Sequence, residues 1–178
     1  MSIEPNESPL SQGEKFAVFR LGEELYGIRL GLVQEIITPQ PITRIPGAPN
    51  VVKGVLNLRG RVLPIADLHP LFGLNLPVSR KTACIVIVQL EIDPKPVSLG
   101  LLVDDVPRVL AIEPSQVEEC PPLGLNVDPE FIEGIARTEV GVIIMINTQI
   151  ALIPKHLEKM LMILLKNALV VTMVVFLL

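Results

Sequence analysis

The chain has no tryptophan, one tyrosine and five phenylalanines in 178 residues. Its interior must therefore be built from Val, Ile and Leu, which favours β-structure and aliphatic packing. The same scarcity removes the aromatic platforms on which single-stranded nucleic acid stacks. Positive charge is also short. Lys and Arg number 15 against 19 Asp and Glu, a formal net charge of −4. The basic residues form no run, so the footprint that a phosphate backbone requires is missing. Nucleic acid is excluded as a partner on these grounds.

Groups that carry chemistry are equally sparse. The two histidines, His69 and His156, stand in unrelated contexts. Neither has Cys, Asp or Glu at metal-ligand spacing. No nucleophile-elbow serine motif, phosphate-binding loop lysine or dinucleotide glycine fingerprint is present. Asp104-Asp105 ends an apolar run and reads as a solvated turn, and His69 reads as a surface or cap residue. Glu118-Glu119 fall in a loop. No catalytic residue, metal or cofactor is expected, which favours a binding or scaffold module over an enzyme. Cys84 and Cys120 lack redox or metal spacing, and Cys84, inside ACIVIV, reads as a buried free thiol. Residues 1–13 are polar and acidic rather than basic and then apolar, so they read as a disordered lead and not a secretory signal. A reducing cytosol is the expected compartment.

What is there in quantity is aliphatic. Apolar residues make up 49% of the chain and the mean hydropathy is +0.53. One domain covering residues 14–150 is expected, with room for two sub-cores within it. EKFAVFRL alternates Phe16 and Val18 against Ala17, Phe19 and Leu21, and LYGIRL returns after a turn at Gly22-Glu23-Glu24. LVQEI leads into another strand. TPQPITRIPGAPN holds four prolines, which exclude helix and require an extended, bent path. Asn50 stands as a cap for a short helical turn over VVKG. Residues 70–82, LFGLNLPVSRK included, form a bridge between sub-barrels. TACIVIVQLEI is apolar on both faces and so central. VSLGLLVDDV, VPRVLAI, FIEGIAR and VGVIIMINT complete roughly ten short strands with turns every 8–12 residues or so, the pattern of all-β barrels. The last hairpin is expected to return to the first barrel.

Residues 151–178 differ. The segment begins as an amphipathic helix and ends VVTMVVFLL. A membrane span needs about 20 apolar residues. Residues 160–178 approach this, but Lys166 and Asn167 interrupt them. A packed or atypical chain end is the first reading, and a membrane-tethered scaffold is the alternative.

The stretch GVLNLRGRVLPIADL, 54–68, places Arg59-Gly60-Arg61 between two strand-like runs. Gly60 supplies a positive φ for a hairpin. Either the charges merely keep the tip wet, or Arg59 is displayed on a rigid turn for a partner.

In order and content, FAVFRLGEELYGIRLGLVQEI (16–36), ITRIPGAPNVVKGVLNLRGRVLPIADL (42–68), LGLLVDDVPRVLAI (99–112) and FIEGIARTEVGVIIMI (131–146) resemble the CheW family of bacterial chemosensory coupling proteins. The most specific part is K-G-x-x-N-L-R-G followed by x-V-x-P-I-x-D-L. The resemblance implies two five-stranded Src-homology-3-like barrels around a shared apolar core. It implies a non-enzymatic adaptor, cytoplasmic and placed at receptor arrays on the inner face of the membrane. Its implied partners are the regulatory domain of a CheA-type histidine kinase and the cytoplasmic tip of a chemoreceptor. Val33, Glu35, Gly54 and Arg59 match the family's receptor-facing motif, with Glu35 as intramolecular partner of Arg59. The tail departs from the family pattern. A small-molecule-binding barrel, with its ligand between the barrels, is the remaining alternative.

Overall fold

The computed structural model describes residues 13–74, 81–92, 95–121 and 129–148. The expected lead at 1–13 therefore falls almost wholly outside them, as do residues 75–80 of the bridge and all of 151–178. Eleven strands are present among the described residues: β1 (Glu14–Leu21), β2 (Glu24–Arg29), β3 (Val33–Ile37), β4 (Val52–Leu58), β5 (Arg61–Asp67), β6 (Cys84–Ile92), β7 (Lys95–Val103), β8 (Asp105–Ile112), β9 (Val117–Glu118), β10 (Ile132–Thr138) and β11 (Gly141–Ile146). One short helix, α1 (Leu68–Leu71), follows β5. The fold is all-β, as expected.

The strands form two sheets, in hydrogen-bonded order β8-β1-β2-β11-β10-β9 and β3-β6-β7-β5-β4. The first gains a sixth strand through the two-residue β9. The last hairpin does return to the start of the chain, with β11 running parallel to β2. The expected divide at residues 70–82 is corrected: β3–β5 before it and β6–β7 after it share one sheet. The chain changes sheet instead at Leu30–Leu32, a single 3₁₀ turn, and at Asp104 between β7 and β8.

Alternation along the strands builds three apolar clusters from these two sheets. In β1, Phe16 and Val18 join Ile112, Ala136, Ile143 and Met145 inside the first sheet. Ala17, Phe19 and Leu21 point the other way, into a cluster shared by both sheets. In β6, Ile85 and Ile87 join Leu56, Leu63 and Ile65 inside the second sheet, while Val86, Val88 and Leu90 enter the shared cluster. A strand that separates a barrel interior from the shared core is apolar on both faces, which is why EKFAVFRL and CIVIVQLEI carry so few outward polar residues. Each fully buried aliphatic side chain contributes about 1.5–3 kcal/mol. The shared cluster therefore fixes the two sheets against each other.

Three local expectations are corrected. No helical turn covers VVKG: Val52 opens β4, and the Val51 carbonyl accepts from the Asp67 amide at 2.7 Å, which draws this segment alongside the end of β5. Cys84 is free but only half-buried at the start of β6. Burial is still enough to push its thiol above the ordinary value. His69 and Asp104 are buried rather than solvated.

Candidate functional site

The hairpin between β4 and β5 closes on Leu58 and Arg61, leaving Arg59 and Gly60 as its two central residues. Arg59 has φ 52° and Gly60 φ 82°. Positive φ at both positions defines the type I′ turn, whose twist matches that of paired strands. The Asn57 side-chain oxygen accepts from the Gly60 amide at 3.0 Å and locks the tip. Gly60 was legible as a turn residue. The left-handed conformation of Arg59 itself was not, and it is the single described non-glycine residue with positive φ. An L-residue in that region carries a cost of about 1–2 kcal/mol.

Arg59 Nη2 donates to Glu35 Oε2 at 3.2 Å, with the two side chains 76% and 33% exposed. An exposed pair of this kind is worth only about 0–1 kcal/mol. Its effect is to orient the guanidinium. The two residues come from opposite margins of the second sheet, since β3 and β4 are its edges. The chain crosses the gap between those edges at Thr43, which exchanges two backbone hydrogen bonds with Val55, each 2.8 Å. The Glu35–Arg59 pair thus lies over the seam where the sheet closes on itself.

Gly54 stands in the same seam but not on the surface. It is buried, has φ 143°, and sits beneath the Thr43 carbonyl. Its direct exposure to a partner is therefore corrected; it acts by letting the backbone of Thr43 approach β4. Val33 pairs with Val88 and packs, half-buried, on the shared cluster. Of the four motif residues, Arg59 and Glu35 are brought into contact, while Gly54 supports the closure near them. Asn57 and Thr43 were missed. The Asn-x-x-Gly spacing was a usable signal for the first; nothing local marks the second.

A second constellation lies at the far end of β5. His69 is 1% exposed and is held between two carboxylates. Its Nδ1 lies 2.8 Å from Asp67 Oδ1 and its Nε2 2.9 Å from Asp104 Oδ2. Asp67 also accepts from Lys53 Nζ at 2.9 Å and from the His69 amide at 3.0 Å, capping α1. Asp104 also accepts from the Gly22 amide at 2.7 Å. The hydrogen bond to Asp67 raises the imidazole above its ordinary value; burial opposes this and Asp104 adds to it. Burial pushes Asp67 up, but hydrogen bonds from His69 and Lys53 outweigh it and hold the carboxyl below the usual range.

An open, largely polar cleft of about 470 Å³ lies over this cluster, lined in part by Arg44, Asn50, Lys53, Asp67 and His69. The space between the sheets, where the small-molecule alternative places its ligand, is filled by the shared apolar cluster. Among the described residues no group of His, Cys, Asp and Glu is arranged to hold a metal, and no helix is long and apolar enough to cross a membrane.

Residues 15–153 match the family described as the CheW-like domain. The chain belongs to the CheW family. It is 33% identical over 150 residues to the chemotaxis protein CheW of Treponema pallidum, covering 82% of this chain and 86% of that one. It is 34% identical over 137 residues to the CheW of Klebsiella aerogenes, covering 77% and 80%. Among solved structures, the scaffolding protein TtCheW of Thermoanaerobacter tengcongensis superposes with a TM-score of 0.70 at 35% identity, over 84% of this chain and 93% of that one. CheW membership accounts for the two-sheet architecture and for the K-G-x-x-N-L-R-G stretch that forms the β4–β5 turn.

Proposed function

We propose that this protein is a coupling adaptor of bacterial chemotaxis, joining the cytoplasmic tip of a chemoreceptor to the regulatory domain of a CheA-type histidine kinase. It performs no catalysis of its own and works in the cytoplasm, at receptor arrays on the inner face of the membrane. Family membership supports the adaptor role. One structural observation supports the receptor-facing site: Arg59 is kept in a left-handed conformation, 76% exposed, at a position where Gly or Asn would sit without strain. Strain held at an exposed residue points to what that residue meets.

In this reading Arg59 presents its planar fork of donors to carboxylates and carbonyls on the receptor tip. Glu35 aims it, Val33 supplies an adjoining apolar contact, and Gly54 holds the seam beneath. The kinase-facing surface belongs to the first sheet, where Val109 on edge strand β8 and Val142 on β11 are exposed large apolar residues. Interfaces of this kind rest on a few such anchors. Separate titrations of wild type and Arg59→Ala with a receptor-tip fragment and with the kinase regulatory domain test the assignment. The expected result is a loss of receptor affinity of about tenfold or more, equivalent to about 1.4 kcal/mol, with kinase affinity unchanged. Equal losses in both titrations, together with a large drop in stability, would make Arg59 a structural residue.

A further inference from the structure

The buried Asp67–His69–Asp104 cluster plays no part in the receptor-facing site, yet it spans the two sheets. Asp67 ends β5 and Lys53 lies on β4, both in the second sheet. Asp104 sits where the chain crosses from β7 in the second sheet to β8 in the first. Its carboxylate accepts from Gly22, in the β1–β2 turn of the first sheet, and its amide donates to the Arg20 carbonyl at 3.0 Å. Thr82, just before β6, donates its hydroxyl to the Asp104 carbonyl at 2.7 Å. His69 is the side chain that joins the two carboxylates.

The hydrogen-bond partners of His69 favour its charged form. An ionised carboxylate accepts and cannot donate. Asp67 is already held as an anion by Lys53, and the Asp104 oxygen that faces His69 already accepts from Gly22. With Asp104 ionised as Asp67 is, both ring nitrogens donate, which only the imidazolium can do. The four side chains balance: Lys53 and His69 carry two positive charges against two negative ones on Asp67 and Asp104. Arg44 also lines the cleft with Lys53, Asp67 and His69. Removing the proton from His69 would turn an imidazole lone pair toward a buried carboxylate. It would also remove one of the donors that hold that carboxylate and the positive charge beside it, which is costly at low dielectric.

We infer that His69 is a protonation-dependent clasp between the two sheets, which fastens the β1–β2 turn of the first to the β4–β5 end of the second and loosens as pH rises. The sign follows from the raised affinity of His69 for its proton in the folded state. The stabilisation is complete below the ordinary imidazole value of 6.5 and is lost as pH rises through the higher folded value. The adaptor would then couple its two subdomains less tightly under alkaline conditions.

The test is a histidine-ring NMR titration of the full chain. There are two histidines, so a His156→Gln variant assigns the His69 signals. His69 should remain doubly protonated through 6.5 and titrate above it. The Gly22 amide resonance, on the other sheet, should shift with the same midpoint. In Asp104→Asn the His69 midpoint should fall and the Gly22 response should vanish. Thermal unfolding of wild type should lose stability more steeply on the alkaline side than unfolding of His69→Gln. A His69 midpoint at or below 6.5 would overturn the clasp outright. A raised midpoint with a silent Gly22 amide would overturn the link between the sheets. Both readings come from chains that retain His69, so they hold even if His69→Gln fails to fold.

Discussion

A methyl group on Gly54 would stand 2.8 Å from the carbonyl carbon of Thr43, and closer still to its oxygen. The obstacle is backbone, which cannot swing aside as a side chain can. Gly54 also adopts φ 143°, a conformation that L side chains rarely accept. The two constraints together predict that Gly54→Ala opens the Thr43–Val55 bridge and costs roughly 2–3 kcal/mol, within the range for strain at a special backbone position. Urea unfolding measures this directly. A variant within about 0.5 kcal/mol of wild type, the ordinary range for a neutral surface change, would show that Thr43 is not held over β4 in solution.

Arg59 offers a separation of stability from function. Arg59→Gly removes the left-handed strain, which is about 1–2 kcal/mol for an L-residue, but loosens the unfolded chain by up to about 1 kcal/mol. Stability should hold or rise by up to about 1 kcal/mol while receptor affinity falls about tenfold or more. Arg59→Lys keeps the charge and loses the fork, so it should recover little binding. If Arg59→Gly unfolds appreciably more easily than wild type, the arginine serves the hairpin and not a partner.

The Lys53–Asp67 contact should show itself in acid. The Asp67 carboxyl is held below its ordinary 3.8, so its contribution is present above that value and is lost as pH falls through the lower folded one. Lys53→Met deletes one of the donors that depress it. Stability near neutrality should fall, and the loss on acidification should be shallower than in wild type. Chemical unfolding at a series of pH values from neutral to acid checks both. Parallel curves for the two proteins would mean that Lys53 does not tune Asp67.

Gly100 faces the interior of the second sheet, where an added methyl would stand 2.9 Å from Ile85 Cγ2 and closer to Ile65 Cδ1. Gly100→Ala should overpack that cluster by about 1–3 kcal/mol. Because the nearest obstacle is the far end of a side chain, Ile65→Val in the same protein should recover part of the loss. Additive destabilisation by the two changes would argue against their contact.

Much of the fold could be read from local chemistry. The alternation of Phe16 and Val18 against Ala17, Phe19 and Leu21 predicted a strand with two buried faces, and the prolines of 38–50 predicted an extended path. Val86 and Val88 were legible as core because an apolar run of that length has no outward face to expose. Of the candidate site, Arg59 and Gly60 were visible as a turn and Glu35 as a partner through family resemblance. His69 and Asp104 were misread because a single polar residue at a strand end looks solvated unless its partner is known. The two stand 35 residues apart and come together only when α1 packs against β7.

The amino-acid sequence by itself determined the all-β character, the strand faces, the hairpin at Arg59-Gly60 and the family, because each rests on spacing within a few residues. Tertiary structure alone decided which strands share a sheet, since pairing such as β11 with β2 joins positions more than a hundred residues apart. It also decided that Gly54 lies under Thr43 rather than on the surface, and that a lone histidine lies between two buried carboxylates. Burial and charge state depend on what packs around a residue, and that neighbourhood is set by distant segments of the chain.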